Sequence, residues 1–231
     1  RYSVHMLKQS RLSILGLAII LFFVLVALFA PLIATHDPSE INLMGTLQPP
    51  SREHLMGTDE YGRDLFSRVV YGTRYAFMEG LLIVSISLSV GTTVGLLSAY
   101  RGGLTDETTM RVMDILLAFP YIVLAICIAS ALMKPEGGFL FDPLMGGILA
   151  ISIVSIPSYA RLVRGAVLSV KETEFVEAAR ADGASSLRIA FVHILPNSIA
   201  PIIVQTTMSI GTAVIDAAAL SFISLGAQPP T

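Results

Sequence analysis

Long apolar blocks alternate along this chain with short polar segments, and each block is about the length of a membrane-crossing helix. The hydrocarbon core of a bilayer takes about 20 apolar residues of helix. Residues 14–34 carry no charge, and residues 76–100 carry only Glu79, near their start. Residues 112–132, 144–163 and 198–225 complete a set of five predicted spans. The first run is too long for the apolar region of a cleaved signal and lacks a small-residue cleavage site, so it reads as an anchor. The pattern predicts an all-α, polytopic membrane protein.

Composition sharpens that picture. Hydrophobic residues make up 54% of the 231 and charged residues 14%, with mean hydropathy +0.73. A soluble domain carries roughly 45–50% apolar and about 25% charged residues. A net charge of −2 speaks for no nucleic-acid partner. The single cysteine, Cys127, excludes an intrachain disulfide. Lys and Arg concentrate on cytoplasmic loops of membrane proteins. With residues 1–13 inside, ten of these cations (Arg1, Lys8, Arg11, Arg101, Arg111, Arg161, Arg164, Lys171, Arg180 and Arg188) fall on the cytoplasmic side. Five (Arg52, Arg63, Arg68, Arg74 and Lys134) fall outside. A cytoplasmic N-terminus and an extracytoplasmic connection at residues 35–75 are therefore expected.

Two polar segments stand out. Residues 171–197 read as two short helices: Glu177, Ala178 and Ala179 lie in the first and Gly183 ends it. Ser185 or Ser186 caps a second that runs through Phe191, and Pro196 closes the unit. Small side chains beside Glu177, Arg180 and Asp182 suit close approach by another protein. An ordinary helical hairpin between two spans fits the same residues. The second segment, Gly57-Thr58-Asp59-Glu60-Tyr61-Gly62-Arg63-Asp64-Leu65-Phe66-Ser67-Arg68, is rich in glycine and charge. By composition alone, it reads more readily as a solvated amphipathic linker with acid–base pairs on its surface.

Together, Glu177-Ala178-Ala179, Gly183 and Leu195-Pro196 resemble the EAA loop of ABC-importer membrane subunits, with His193 standing where that pattern has Ile. The Gly57–Arg68 stretch resembles the GTD-x-x-GRD-x-x-SR signature of the C-type permease subunit in dipeptide, oligopeptide and nickel importers. Tyr100-Arg101-Gly102-Gly103 with Asp106, the run from Met110 to Ile115, Phe119-Pro120, Leu220-Ser221-Phe222 and Leu225-Gly226-Ala227-Gln228-Pro229-Pro230 extend the likeness over nearly the whole chain.

The resemblance implies the type I importer permease fold, with a permease core at residues 76–231 and a sixth span beyond residue 231. It implies a multi-pass subunit of a bacterial or archaeal cytoplasmic membrane, working with a second, similar permease subunit, two cytoplasmic ATPases and an extracytoplasmic substrate-binding protein. ATP and Mg would then be bound by the ATPases, and this chain would bind no cofactor. Glu177, Ala178, Ala179, Arg180, Asp182, Gly183, Leu195 and Pro196 become the implied ATPase-coupling residues. Gly57, Thr58, Asp59, Gly62, Arg63, Asp64, Ser67 and Arg68 form the implied extracytoplasmic signature. Small peptides are the first cargo implied, with nickel or glutathione next. A gradient-driven secondary transporter and a membrane scaffold are the other classes considered; the chain shows no inverted repeat.

No catalytic constellation is expected. Lys8, Lys134 and Lys171 follow Leu, Met and Val, so no Gly-Lys phosphate loop exists. His5, His36, His54 and His193 are far apart and none begins an HExxH motif, so no metal ligand set is expected either. Gly91 and Gly95 share one helix face and favour close helix packing, or a gating role. Pro120 and Pro157 lie inside predicted spans and can kink them. Asp216 lies in mid-span, where a charge costs about 2.5–3.5 kcal/mol on insertion scales. It is expected, with Ser221 and Phe222, to border the translocation path or a subunit interface. A carboxyl bonded to a neighbouring helix is the alternative.

Overall fold

A computed structural model describes residues 11–132 and 142–226. The readings placed on residues 1–10, on Lys134 and on residues 227–231 lie outside these. The chain divides into two compact units, one ending at Met78 and the other beginning at Glu79.

The first unit opens with α1, Arg11–Leu28, none of whose residues is buried. Its surface is apolar all round, as suits a helix whose solvent is lipid. A short turn at Ala30–Ile33 leads into the polar connection. That connection is knotted by the glycine- and aspartate-rich segment. Gly57 and Gly62 have φ of +77° and +72°, and a Cβ at either would strike the carbonyl oxygens of Gln48 and Asn42 respectively. Only glycine fits there. Thr58 pairs with Asp64 in an isolated antiparallel bridge, and its hydroxyl accepts the Gln48 N–H at 2.8 Å.

Asp59 accepts from the amides of Tyr61 (2.8 Å) and Arg63 (3.0 Å) and from the Arg63 guanidinium (2.7 Å). Burial pushes its carboxyl up, but these bonds outweigh burial and hold it below the usual carboxylate range. Asp64 caps α2, Leu65–Arg101, through the Ser67 amide at 2.8 Å. The helix therefore begins well before residue 76, where the sequence placed its start. Arg68 and Arg74 made that stretch look like a loop, whereas the cap turns it into the first turns of α2.

In the second unit the rest of α2 packs with α3 (Gly103–Leu117), α4 (Tyr121–Ala131), α5 (Pro143–Lys171), α6 (Glu174–Ala181) and α7 (Ile199–Phe222). Helix α5 is the axis and touches α3, α4 and α7. One core cluster includes Ile83, Ile148, Ile151, Tyr159, Ala213 and Leu220; another joins Leu96, Val163 and Val167 to Val176, Ile189 and Ile194. The second cluster fastens the 171–197 segment to α2 and α5.

Gly91 and Gly95 lie against α5: a Cβ on Gly91 would come within 3.0 Å of the Ile156 carbonyl, and one on Gly95 would strike the Ala160 carbonyl. Helix contact within the subunit thus accounts for both glycines. Two serines clasp the same pair of helices, Ser87 Oγ donating to the Ser152 carbonyl at 3.0 Å and Ser152 Oγ to the Ile83 carbonyl at 3.4 Å.

Four of these helices, α1, α2, α5 and α7, have the length and apolarity to cross a membrane. The α3–α4 pair makes a fifth candidate, but it bends by 95° at its break. The span expected at 112–132 falls on this bent pair, with its break at Pro120, one of the two prolines expected to kink a span. Pro120 supplies no N–H and disfavours helical geometry at Phe119, so the chain stops and restarts there. Pro157, by contrast, sits inside an unbroken α5.

Candidate functional site

Two places in the second unit gather chemistry. The first is α6 together with the turns that run on to Asn197. Only Val176 of α6 is buried, so the helix lies on the protein with one anchor and presents Glu177, Ala178 and Arg180 to the surroundings. Its end is a Schellman turn. The Ala184 amide donates to the Ala179 carbonyl and the Gly183 amide to the Arg180 carbonyl, both at 3.1 Å, with Gly183 at φ +79°. Ala179 and Ala184 pack partly against the second core cluster.

Ser185 then caps a turn at Ser186–Arg188, accepting the Arg188 amide at 3.4 Å. Beyond that turn the chain departs from expectation. Residues Ile189–Ile194 wind as a π-helix, a form common at functional sites. Pro196 does not close the unit, because Leu195–Asn197 forms a further helical turn and the chain breaks only at Ser198. Pro196 is exposed, and Leu195 packs against the second core cluster. Leu187, Phe191 and Val192 are exposed beside this anchor, at 64%, 43% and 57%. The surface thus offers Glu177, Arg180 and Asp182 together with uncovered apolar side chains.

The base beneath is tied together by polar bonds between helices. Lys171 Nζ donates to the carbonyls of Ala99 (2.9 Å) and Tyr100 (3.0 Å), capping the end of α2 with the end of α5. Arg164 grips Asp106 with two parallel bonds of 2.7 and 2.6 Å, tying α5 to α3. Arg161 pairs with Asp114 at 2.5 Å.

The second place is a cavity of about 280 Å³ within the helix bundle, where Asp216 meets Tyr121, Ser155, Ser158, Gln205 and Thr212. The Tyr121 hydroxyl lies 3.1 Å from Ser155 Oγ, and Gln205 Nε2 donates to Ser209 Oγ at 3.1 Å. Asp216 and Tyr121 line the same cavity. The buried Tyr159 hydroxyl, on the same wall, has no partner among the described residues. Asp216 is therefore not stranded in lipid; it faces a polar chamber lined by four helices, α2, α4, α5 and α7. Ser221 and Phe222 are not brought to it. Ser221 Oγ bonds back to the Ala217 carbonyl at 2.9 Å, and Phe222 is 90% exposed. The polar partners of Asp216 escaped sequence reading because they are scattered over α4, α5 and α7. A polar position every third or fourth residue in Gln205, Ser209, Thr212 and Asp216 was the available signal.

A family model described as "Binding-protein-dependent transport system inner membrane component" matches residues 91–231, and "N-terminal TM domain of oligopeptide transport permease C" matches residues 1–50. The dipeptide transport system permease protein DppC of Alkalihalophilus pseudofirmus is 47% identical over 100% of this chain and 73% of its own length. The probable D,D-dipeptide transport system permease protein DdpC of Escherichia coli is 46% identical over 99% and 74%. The oligopeptide transport system permease protein OppC of Bacillus subtilis is 38% identical over 96% and 70%. Among solved structures, the inward-facing MetNI methionine ABC transporter shares the fold with a TM-score of 0.56 at 20% identity, over 66% of this chain and 72% of that one.

Proposed function

Since the chain belongs to the family of binding-protein-dependent transport inner membrane components, the permease subunits of ABC importers, we propose that it forms half of a translocation pore for small peptides. It is the coupling subunit rather than the motor: ATP and Mg²⁺ act in two separate cytoplasmic ATPases, and an extracytoplasmic binding protein delivers the cargo. The N-terminus is cytoplasmic, which places α6 on the ATPase side and the Gly57–Arg68 knot on the outer side.

The single observation that carries this reading is α6 itself. It is held by Val176 and a Schellman turn, while Glu177, Ala178, Arg180 and Asp182 are left exposed. A helix that is anchored on one face and bare on the other can transmit force from a partner to the α2–α5 base through the second core cluster. A second, similar permease subunit completes the pore. The cavity at Asp216 lines the path, where its carboxylate suits the α-amino group of a peptide.

The support for peptide cargo is the nature of the relatives together with an anionic, hydrogen-bonding chamber. Glutathione and nickel belong to the same importer class; the chamber, with hydroxyls and an amide around one carboxylate, favours a zwitterionic organic cargo over a bare cation. The test is copurification. Glu177→Arg should leave membrane insertion intact and remove the ATPases from the purified complex. ATPases retained at wild-type levels, with uptake unchanged, would refute the docking role.

A further inference from the structure

The connection in the first unit holds an arrangement that neither transport nor family membership explains. Asp64 is buried, with 2% of its surface exposed, and its Oδ2 is taken by the Ser67 amide. Oδ1 faces two imidazoles: His54 Nδ1 is 2.9 Å away and His36 Nδ1 is 3.9 Å away. The two rings lie 4.7 Å apart between centroids. One ligand atom from each of the three residues falls within 4.8 Å of the others. The group opens on a cavity of about 220 Å³ that Asp37, Glu40 and Glu53 also line.

We propose that His36, His54 and Asp64 bind a first-row divalent transition ion of the zinc type. Tetrahedral coordination at about 2.0–2.1 Å puts neighbouring ligand atoms roughly 3.3–3.5 Å apart. The observed 2.9 and 3.9 Å separations from Asp64 bracket that value, and with all three ligand atoms within 4.8 Å of one another, shifts of roughly 1–1.5 Å in the imidazoles complete the set. Two imidazoles and one carboxylate suit zinc and its neighbours. Calcium and magnesium call for oxygen ligands, and the absence of a thiolate at the site disfavours copper(I).

The supporting shell is in place. The Ser67 amide orients the carboxylate, Ser67 Oγ accepts the His36 amide at 3.0 Å, and Ser51 Oγ accepts the His54 amide at 3.0 Å. The fourth position faces the cavity, where three acidic side chains favour entry of a cation and water can complete the coordination. Bound metal would clip residues 36 and 54 of the connection to the cap of α2. It would fix the outer surface that the pore presents without taking part in the transport cycle.

The experiment uses the assembled transporter, stripped with chelator and titrated with Co²⁺ as a spectroscopic probe and Zn²⁺ as competitor. One Co²⁺ per subunit with visible absorption of tetrahedral intensity, displaced by Zn²⁺, is expected. His36→Ala and His54→Ala should each weaken binding by about tenfold or more. Asp64→Asn serves as a third variant, because asparagine still caps α2 while removing the anionic ligand; it should weaken binding too. No visible Co²⁺ spectrum in the wild type, or wild-type affinity in either histidine variant, would overturn the assignment. Peptide uptake is a separate readout, so failure of the metal site and failure of the transport reading are distinguishable.

Discussion

Gly95 shows how much one missing methyl group decides. A Cβ there would meet the Ala160 carbonyl and approach Val163 Cβ to 3.0 Å, both on α5. Gly95→Val should therefore push α2 from α5 and cost about 1–3 kcal/mol, as overpacking does elsewhere; a lowered melting temperature of the purified complex is the measurement. Asp59 makes a prediction about pH. Its carboxyl binds a proton more weakly when folded, so unfolding takes up a proton in acid. The stability it contributes to the outer connection is complete above its ordinary value of 3.8 and is lost as pH falls through the lower folded value. Proteolysis of that connection should accelerate below about pH 4 in wild type, and Asp59→Asn should already be susceptible at pH 7. Asp216 was legible in the sequence as a costly mid-span charge. Asp216→Asn replaces the charge by a neutral amide and should reduce peptide uptake by about tenfold, the weight of a charge-assisted hydrogen bond. A change confined to protein yield would instead assign it to helix packing.

Elements were legible where one physical signal dominated. The apolar runs of α1, α5 and α7 were long enough to be found by length, although Arg161 and Asp216 interrupt the second and third. The start of α2 was hidden because Arg68 and Arg74 resemble loop residues until Asp64 is seen capping the helix. The break between α3 and α4 was visible as Pro120, but its 95° size was not, since neighbouring helices set the angle. Nothing in Ile189–Ile194 announces a π-helix; winding there depends on burying Ile189, Ala190 and Ile194 together. His36 and His54 seemed unrelated because the turns that join them are built by glycines and carbonyls rather than by the histidines. Gly183 offers the test at this scale. At φ +79°, a β-branched residue costs roughly 1–2 kcal/mol. Gly183→Val should fray the end of α6 and lower ATPase recovery, whereas Gly183→Asn, which tolerates this geometry, should retain most of it.

At the scale of the molecule, the second unit joins two sites through one long helix. Helix α5 lines the Asp216 chamber through Ser155 and Ser158 and ends at Lys171, beside α6. Between those points its contacts with α2 are glycine-close, and the bidentate Arg164–Asp106 pair and the Arg161–Asp114 pair tie it to α3. Under the proposed docking role, a push on α6 would be carried toward the chamber by α5 and α2. The central claim is therefore best tested by uptake. The protein would be reconstituted in liposomes with its sister permease, its ATPases and its binding protein, and supplied with labelled dipeptide. Uptake that requires ATP and the binding protein, and that collapses with Glu177→Arg, is the predicted result. Uptake by this chain alone, driven by an ion gradient and indifferent to ATP, would contradict the account.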